Sequence, residues 1–398
     1  MDQLQRIATA LAETRLDGWL FYDFRLSDPI AYRILGLPSD ELSTRRWFYF
    51  IPAAGEPRAL VSAVEPSRLD RLPGDREVYR SAAEMTAGLR NLLRGARRIA
   101  MDYSPNCAIP YVSRVDAGTI ELVRSFGVEP VSAADLIQRF EASLDAGQLA
   151  SNRRAALALR QIVDECFAEI ARLVRAGDRC DELGIRQFVC SRISARGLIA
   201  EEPPIVAVNA HSAVPHFSPT RENSDAIGYD DFVLLDLWAK EPGPDSIYGD
   251  LTWTAFVGDR VPEQHAQVFA IVAAARDSAV ELIRRKLASG EPVSGIDADR
   301  AAREVIERAG YGPCFVHRTG HSIGREVHGT GANLDSFETL DHRLLLDHTC
   351  FSVEPAIYLP GRFGVRSELD VAIEDGAATV SGGPPQQEII PLLARYGS

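Results

Sequence analysis

The sequence lacks three features that would each assign it to a broad class of protein. None of its apolar runs reaches the ~18 to 20 residues that a membrane-spanning helix needs, and its start, MDQLQRIATALAETRLDGWLFYDF, has no continuous apolar core of a secretory signal. Its six cysteines are scattered without a CxxC pair, which favours reduced, buried thiols in a cytoplasm. Basic residues are not in excess, and the formal net charge of -13 argues against a nucleic-acid or anionic-membrane binder.

What is present fits a globular protein with two domains. The chain has 398 residues, of which 46% are hydrophobic and 25% are charged. In the first part, strand-like GWLFYDF and RWFYFIPAAG alternate with helix-like AAEMTAGLRNLLRG, which predicts a small α/β domain. A cap-like Ser132, a short helical pattern and a glycine follow within 132–152, and we place the domain boundary there, between residues 145 and 146.

The second part mixes long helices with separate strands, which predicts an α+β domain. ASNRRAALALRQIVDECFAEIARLVRAG has apolar residues at three- and four-residue intervals and predicts a long amphipathic helix that ends at Gly177. Two more helices are predicted near 262–289 and 296–309. The strand-like runs are PPIVAVN, DFVLLDLWA, LTWTAFVG, HTCFSVEPAIYLP and GVRSELDVAIE.

Two aspartates interrupt these apolar strands. Asp236 lies in FVLLDLWA, where an isolated ionised carboxylate would be costly to bury and therefore needs a partner. Asp250 follows fourteen residues later, across the turn-like KEPGPDSIYG, so two adjacent hairpin strands could bring both carboxylates together. Taken alone, each aspartate is better explained by a turn cap or an arginine partner.

Two glutamates repeat the pattern and favour a metal site over separate turn caps or arginine pairs. Glu354 lies in CFSVEPAIY and Glu368 in GVRSELDVAI, again fourteen residues apart across a glycine-containing turn, and HRTGHSIGREVH with its three histidines lies between the two acidic pairs. Four carboxylates with imidazole and no thiolate predict a site for manganese, cobalt or zinc ions. Because carboxylates can bridge, such a set can hold two ions roughly 3.5 to 4 Å apart.

The ordered contexts LLDLWA, GDLTWT, GHSIG, SVEPAIY and VRSELD resemble the dinuclear site of the pita-bread metallopeptidases. That family includes methionine aminopeptidase, aminopeptidase P, Xaa-Pro dipeptidase (prolidase) and the metal-free creatinase. The motifs cover about residues 205–375. The resemblance implies a pita-bread catalytic domain over 146–398 and a smaller creatinase/prolidase-like α/β domain over 1–145.

The resemblance also implies a metal ligand at five positions. Asp236 would chelate one ion, Asp250 and Glu368 would bridge both, and His321 and Glu354 would complete the second ion. Two divalent ions are implied, with Mn²⁺ expected first and Zn²⁺ or Co²⁺ as alternatives.

Further residues match the substrate side of the family's site. The resemblance places His328 near the scissile group, where it would stabilise the oxyanion, and His216 where it would hydrogen-bond substrate. His317 and Tyr358 would line the pocket of the leaving residue, and Arg366 would either bind a substrate carboxylate or support the ligands from behind them. The remaining histidines match no motif and are expected to be surface or satisfied structural residues: His211, His265, His342 and His348.

The sequence departs from the family pattern at three points. The two aspartates are fourteen residues apart rather than about eleven, so KEPGPDSIYG contains a short insertion near the mouth of the site. Ala356 replaces a common glycine, and RSELD replaces the usual RIEDD. None of these changes removes a ligand, so they bear on the substrate subclass.

The resulting hypothesis is an Xaa-Pro dipeptidase in which two ions share a water, lower its pKa and polarise the scissile carbonyl. Glu354 could accept the proton of the resulting hydroxide. An aminopeptidase P acting on longer Xaa-Pro peptides is the nearest alternative; a creatinase-like amidinohydrolase and a non-catalytic binding module are less favoured because all five ligands are present. The expected partner is a small peptide, without nucleic acid or membrane, and the resemblance implies a homodimer.

Overall fold

The computed structural model describes residues 3–396 of the chain. The chain divides into two compact units, Met1–Glu141 and Ala142–Ser398. Asp145, at the predicted domain boundary, is the N-cap of the helix that starts at Ala146. In the described residues, no helix combines the length and the apolarity that crossing a membrane requires.

The first unit contains a six-stranded mixed sheet. Its strands are β1 (Gly18–Asp23), β2 (Trp47–Pro52), β3 (Arg58–Ser62), β4 (Asp75–Tyr79), β5 (Arg98–Met101) and β6 (Glu129–Ser132). They lie in the order β4-β3-β2-β1-β5-β6, and β2 runs antiparallel to the others. The helices are α1 (Gln3–Glu13), α2 (Pro29–Leu35), α3 (Ala82–Leu92), α4 (Ala117–Ser125) and α5 (Ala134–Glu141).

Alternating side chains along β1 explain why helices cover both faces of this sheet. Trp19 and Phe21 pack in one core with α1, α2 and α5, whereas Leu20 and Tyr22 pack in a second core with α3 and α4. A strand that is buried on both faces reads as a continuous apolar run, as GWLFY does.

The second unit contains several small sheets and long helices. Its helices are α6 (Ala146–Ala176), α7 (Glu182–Ala195), α8 (Glu263–Ala288), α9 (Gly295–Arg308) and the short α10 (Leu392–Arg395). Its first strands are β7 (Ile205–Val208), β8 (Phe232–Ala239), β9 (Gly249–Phe256) and β10 (Ser322–Ile323). The later strands are β11 (Thr349–Val353), β12 (Ala356–Leu359), β13 (Phe363–Arg366), β14 (Leu369–Glu374), β15 (Ala377–Val380) and β16 (Ile390–Pro391). They form the sheets β16-β9-β8-β7, β10-β11-β14-β15 and β12-β13.

The side chains of β8 separate two cores and thereby position the site. Leu235 and Leu237 pack against α6 and α7, whereas Phe232 and Leu234 pack in the core shared with α8, α9, β11 and β14. Asp236 is two residues from Leu234, so its carboxylate points to that inner side of the sheet.

The predicted long helices are confirmed. α6 starts with a capping box at Asp145 and ends where Gly177 adopts φ +67°, a conformation that glycine adopts without steric penalty. The helices predicted over 262–289 and 296–309 correspond to α8 and α9.

The prediction that Glu354 and Glu368 lie inside the two C-terminal strands is wrong. HTCFSVEPAIYLP divides into β11 and β12, and GVRSELDVAIE divides into β13 and β14. Pro355 has no N–H to give to a ladder, and the N–H of Glu354 donates to the carbonyl of Thr319 at 2.7 Å instead. Glu354 and Glu368 therefore lie at breaks between strands rather than inside them.

Candidate metal centre

Asp236 and Asp250 lie on one antiparallel hairpin. In the pairing of β8 with β9, Asp236 lies opposite Thr252, and Trp238 lies opposite Asp250. Residues two apart on a strand share a face, so both carboxylates are on the same face of the sheet. Both side chains are buried. The hairpin predicted from FVLLDLWA and GDLTWT is confirmed.

Glu354 and Glu368 face each other at the break between strands. The register of β11 with β14 continues that of β12 with β13, so these two glutamates would be opposite partners in one continuous ladder. Their N–H groups instead donate elsewhere, Glu354 to the Thr319 carbonyl at 2.7 Å and Glu368 to the Thr252 carbonyl at 3.3 Å. The second bond ties the break to β9, the strand that carries Asp250.

His321 is held with one ring nitrogen turned toward the carboxylates. The backbone N–H of His321 donates to the Ser352 hydroxyl at 3.0 Å. The ring atom Nδ1 lies 3.1 Å from the Ser322 carbonyl oxygen, which can only accept a hydrogen bond. In the neutral ring, Nδ1 therefore carries the proton and Nε2 keeps its lone pair. The preceding Gly320 is required, since a Cβ there would lie 2.0 Å from the carbonyl oxygen of Ser352.

Three of the predicted ligands form a compact cluster. One ligand atom from each of Asp250, His321 and Glu368 lies within 4.8 Å of the other two. His321 Nε2 is 3.6 Å from Asp250 Oδ2 and 3.4 Å from Glu354 Oε1. Asp250 Oδ1 is buried and has no hydrogen-bond partner among residues 3–396. A buried carboxylate oxygen without a donor is suited to a cation.

The electrostatics of the cluster also favour a cation. Burial, and after it the charges of neighbouring carboxylates, raise the pKa of Asp250 and of Glu368 well above their ordinary values. Burial raises the pKa of Glu354 to about 7. Burial, and after it the electrostatic effects of the His328 ring and of Arg318 and Arg366, lower the pKa of His321 well below its ordinary value. A cation placed among these groups would stabilise the ionised carboxylates, and the neutral imidazole would offer it the lone pair of Nε2.

Asp236 is the ligand candidate that already has a cationic partner. Arg366 Nη2 forms a buried ion pair with Asp236 Oδ2. The same guanidinium donates to the Thr252 hydroxyl at 3.0 Å, to the Tyr358 hydroxyl at 3.1 Å and to the Pro215 carbonyl at 3.4 Å. Burial has the largest single effect and lowers the pKa of Arg366, but the charges of Asp236, Tyr358, Glu368 and Glu354 together outweigh it, so the pKa is raised.

His317 and Tyr358 form a hydrogen-bonded pair next to Arg366. His317 Nε2 lies 2.9 Å from the Tyr358 hydroxyl, and its Nδ1 lies 2.7 Å from the Arg318 carbonyl. Burial lowers the pKa of His317 to about 3, so the ring is neutral and Nδ1 carries its proton. Tyr358 then donates its O–H to Nε2 and accepts from Arg366.

His328 and His216 are both exposed, and His328 lies beside one of the ligand candidates. The His328 ring centroid is 4.4 Å from that of His321, although His328 itself is exposed. Desolvation around the ring, with the charges of Arg318 and His216, lowers the pKa of His328 to about 4. His216 follows Pro215 in a surface turn and is exposed as well.

Asp370 was missed from the sequence. It is buried, accepts from Asn152 Nδ2 at 2.8 Å and from the N–H of Asp250 at 3.1 Å, and burial raises its pKa to about 7. Asp370 lies two residues after Glu368, so alternate-residue spacing could have suggested that it faces the same side. Asn152 comes from α6 and had no sequence signal.

The remaining histidines only partly match the expectation of surface or satisfied residues. His342 is exposed, and His211 is hydrogen-bonded to Glu182. The side chain of His348 is 43% exposed, and its Nε2 lies 3.9 Å from Asp347 Oδ2. The expectation is wrong for His265, whose Nδ1 is buried without a hydrogen-bond partner in the described part of the chain. The His265 ring stacks 4.0 Å from that of Phe363, so packing rather than hydrogen bonding holds it.

Known proteins resemble this chain over the region that carries the site. The model of metallopeptidase family M24 matches residues 153–375. A Mycobacterium tuberculosis protein named "Probable dipeptidase PepE" is 30% identical over 276 residues, which are 69% of this chain and 67% of that protein. An Xaa-Pro dipeptidase of Lactobacillus helveticus is 32% identical over 189 residues, 47% of each chain.

A solved structure extends the likeness to nearly the whole length. The crystal structure of dipeptidase PepE from Mycobacterium ulcerans superposes with a TM-score of 0.73 at 25% sequence identity, and the match covers 98% of this chain and 97% of that one.

Proposed function

Because the chain belongs to metallopeptidase family M24, we propose that it hydrolyses the Xaa-Pro peptide bond, with Xaa-Pro dipeptides as the main substrates. The membership makes the chain a metallopeptidase, and the predicted α+β class with a pita-bread fold is confirmed. The dipeptide specificity goes further and draws support from relatives named as dipeptidases.

The observation that supports this activity most is the buried group of carboxylates around one neutral imidazole. Asp250, His321 and Glu368 present ligand atoms within 4.8 Å of one another. Glu354 lies 3.4 Å from His321 Nε2. Without bound cations such a group would be costly to bury, so a catalytic metal centre accounts for its presence.

The donor set fits two divalent ions. We assign Asp236 to one ion, Asp250 and Glu368 to bridging positions, and His321 and Glu354 to the second ion. The unpartnered Asp250 Oδ1 leaves an acceptor free for this purpose. Ions held there would lower the pKa of a shared water and polarise the scissile carbonyl. Oxygen-rich ligands with one imidazole favour Mn²⁺, with Zn²⁺ or Co²⁺ as alternatives.

The protein's own groups supply the proton transfers. We assign Glu354, whose Oε1 lies 3.4 Å from His321 Nε2 inside the cluster, to accept a proton and pass it to the leaving nitrogen. The neutral His328 ring carries one N–H at physiological pH, and we assign that donor to the carbonyl oxygen as negative charge develops. His216, exposed on the same side, would hydrogen-bond the substrate.

The proline preference concerns the residue that leaves. An Xaa-Pro bond has no N–H, so a peptidase that needs this donor handles it poorly. We assign the wall facing the pyrrolidine ring to His317 and Tyr358. Arg366 is already bonded to Asp236, Thr252, Tyr358 and Pro215, so we assign it to positioning these groups rather than to a substrate carboxylate.

The decisive experiment compares peptides of two lengths with defined metal loading. Purified protein is stripped with chelator, reloaded with Mn²⁺, Zn²⁺ or Co²⁺, and assayed on Ala-Pro and on Ala-Pro-Ala. We expect turnover of the dipeptide and little of the tripeptide. Strong tripeptide cleavage with little dipeptide turnover would instead identify an aminopeptidase P. Inactivity on both after reloading, with no metal bound, would reject a metallopeptidase.

Three further predictions are independent of substrate. The domains 1–145 and 146–398, a homodimer and a cytoplasmic location remain expectations. Analytical ultracentrifugation tests the dimer, and fractionation of the source cells tests the location.

A further inference from the structure

The loop that carries His216 is anchored by a buried carboxylate outside the metal centre. We propose that Glu182 and His211 form a pair that positions His216 for catalysis. The proposal rests on the substrate-binding role assigned to His216 above, and it adds two positioning residues that no metal-site motif contains.

Glu182 closes the loop by holding both of its ends. It is the first residue of α7, and its side chain is fully buried. Its Oε1 accepts the N–H of Val208 at 2.7 Å, and its Oε2 accepts the N–H of Asp225 at 2.8 Å. These two amides are the start and the end of the connection between β7 and the segment that leads to β8. One carboxylate thus fixes where the loop leaves the sheet and where it returns.

His211 extends this anchor into the loop itself. Its Nδ1 lies 2.9 Å and 3.0 Å from the two Glu182 oxygens, so Nδ1 carries a proton and donates. The ring stacks on Phe217, with 4.1 Å between centroids. His216 lies directly before Phe217, so the stacked ring fixes the backbone beside it.

The loop is also docked on the strand that leads to Arg366. The Ser212 hydroxyl accepts the N–H of Gly364 at 2.8 Å, and a Cβ at Gly364 would lie 2.2 Å from the Ser212 carbonyl oxygen. The Pro215 carbonyl accepts from Arg366 Nη1 at 3.4 Å. The loop that Glu182 and His211 anchor is therefore also bonded to β13, and it reaches the metal centre through Arg366.

A glutamine at position 182 would break the anchor with little change in shape. The carboxylate offers acceptors on both oxygens, whereas the amide replaces one oxygen with an NH2 group. Either the Val208 or the Asp225 N–H would then face a donor in a buried position, which is a large penalty for so small a change. At residue 211, asparagine keeps a donor near the place of Nδ1, whereas alanine removes it.

The test is a double-mutant cycle on the Mn²⁺-loaded enzyme with Ala-Pro as substrate. The variants are Glu182→Gln, His211→Ala, His211→Asn and His216→Ala, together with Glu182→Gln/His216→Ala. The control is Glu165→Gln, which weakens a partly exposed ion pair between α6 and Arg192 of α7, the helix that Glu182 begins.

We expect Glu182→Gln and His211→Ala to lower kcat/KM about tenfold or more, because a small displacement of a positioned group is enough for such a loss. Bound metal should stay at the wild-type level, and His211→Asn should recover part of the loss. In the His216→Ala background, Glu182→Gln should have little further effect, since both changes would act through the same side chain. Glu165→Gln should leave kcat/KM unchanged.

Three results would overturn the pair's role. The first is a double variant whose loss in kcat/KM equals the product of the losses in Glu182→Gln and His216→Ala. The second is a loss of bound metal as large as the loss of activity. The third is wild-type amide exchange across 209–224 in Glu182→Gln. Amide exchange is measured without substrate, so it tests the anchor even if the wild-type enzyme does not cleave Ala-Pro. If the wild-type enzyme does not cleave Ala-Pro, the proposed function is wrong. Wild-type amide exchange in Glu182→Gln would, independently of that result, show that Glu182 does not anchor the loop.

Discussion

Two neighbouring histidines can be told apart by their surroundings. The rings of His321 and His328 are 4.4 Å apart. His321 is buried with Nε2 facing Asp250 and Glu354, whereas His328 is exposed. We expect His321→Ala to lose bound metal and activity together. His328→Ala should keep the metal and lose about 100-fold or more in kcat, since it removes a donor to the oxyanion.

Metal content after gel filtration and kcat on Ala-Pro distinguish the two outcomes. His342→Ala is the matched control, because His342 is exposed and has no part in the proposed site. Equal metal loss in His321→Ala and His328→Ala would show that both rings are ligands.

Proton competition at the carboxylates predicts how metal affinity depends on pH. Burial raises the pKa of Glu354 to about 7 and raises those of Asp250 and Glu368 well above their ordinary values. These groups must lose their protons to bind an ion, so Mn²⁺ affinity should fall as the pH is lowered through about 7. We expect at least a tenfold weaker Kd at pH 6 than at pH 8 by titration calorimetry.

Glu354→Gln provides the comparison for this pH dependence. The amide has no proton to lose near neutral pH, so the variant should bind Mn²⁺ more weakly but with a shallower pH dependence. A slope as steep as that of wild type would assign the competing protons to other groups.

At the scale of residues, the sequence predicted the chemistry of the site better than its support. Asp236, Asp250, Glu354 and Glu368 stand out because each interrupts an apolar run. The structure brings Asp250, Glu354 and Glu368 around His321, whereas Asp236 is ion-paired with Arg366. The Asp236 bond to Arg366 and the Asp250 N–H bond to Asp370 join positions more than a hundred residues apart. Only the fold decides which of the chain's charged side chains meet.

At the scale of elements, the connection between β8 and β9 is held against the segment that leads to His328. The Tyr248 N–H donates to the Gly324 carbonyl at 3.1 Å, and Asp245 lies 3.0 Å from Arg325. Lys240 Nζ donates to the carbonyl of that same arginine. The segment KEPGPDSIYG, for which the resemblance implies an insertion, therefore supports the segment that leads to His328.

Deletion of residues 242–244 tests this support. The shorter loop would move Asp245 away from Arg325, and we expect kcat/KM to fall about tenfold with metal content retained. Arg325→Ala alone should have a smaller effect, since an exposed ion pair contributes little. If the deletion variant keeps the wild-type kcat/KM on Ala-Pro, the loop does not support the site.

Sequence periodicity predicted the elements whose ends have a local cause. α6 ends at Gly177 and β8 pairs with β9 because a capping glycine and a turn-rich segment lie in the sequence. The breaks beside Glu354 and Glu368 escaped prediction, because the N–H groups there bond to Thr319 and Thr252 in other parts of the fold. Periodicity carries no information about such distant acceptors.

At the scale of the whole molecule, the buried pair of Asp28 and Asp102 in the first unit makes the free energy of unfolding depend on pH. Burial, and then the charge of Asp102, raise the pKa of Asp28 well above its ordinary value, and burial raises the pKa of Asp102 from 3.8 to about 6. A raised pKa stabilises the fold at pH values below the unfolded pKa, and that contribution is lost as the pH rises through about 6. Trp19 donates to Asp102 at 2.9 Å.

Asp102→Asn should remove the part of this effect that comes from Asp102, since the amide keeps an acceptor for the indole and has no proton to lose. Relative to wild type, the variant should gain on the order of 2 kcal/mol in free energy of unfolding between pH 4 and pH 7.5. Denaturant titrations at both pH values measure the difference.

Asp17→Asn should show the opposite trend. Hydrogen bonds from the N–H groups of Arg98 and Arg97 lower the pKa of Asp17, so its ionised form stabilises the fold above its unfolded pKa and that contribution is lost in acid. This variant should therefore lose stability at neutral pH relative to wild type. The same trend in both variants would contradict the assignment.

The candidate ligands come from separate strands and strand ends, from Asp236 on β8 to Glu368 beside β14. While the chain is being synthesised, a ribosome must therefore add the last of these residues, and the hairpin that presents it, before the ligand set is complete. Metal uptake would report that the C-terminal part of the fold has closed, and a truncated chain ending before residue 368 would be recognised by its failure to retain Mn²⁺.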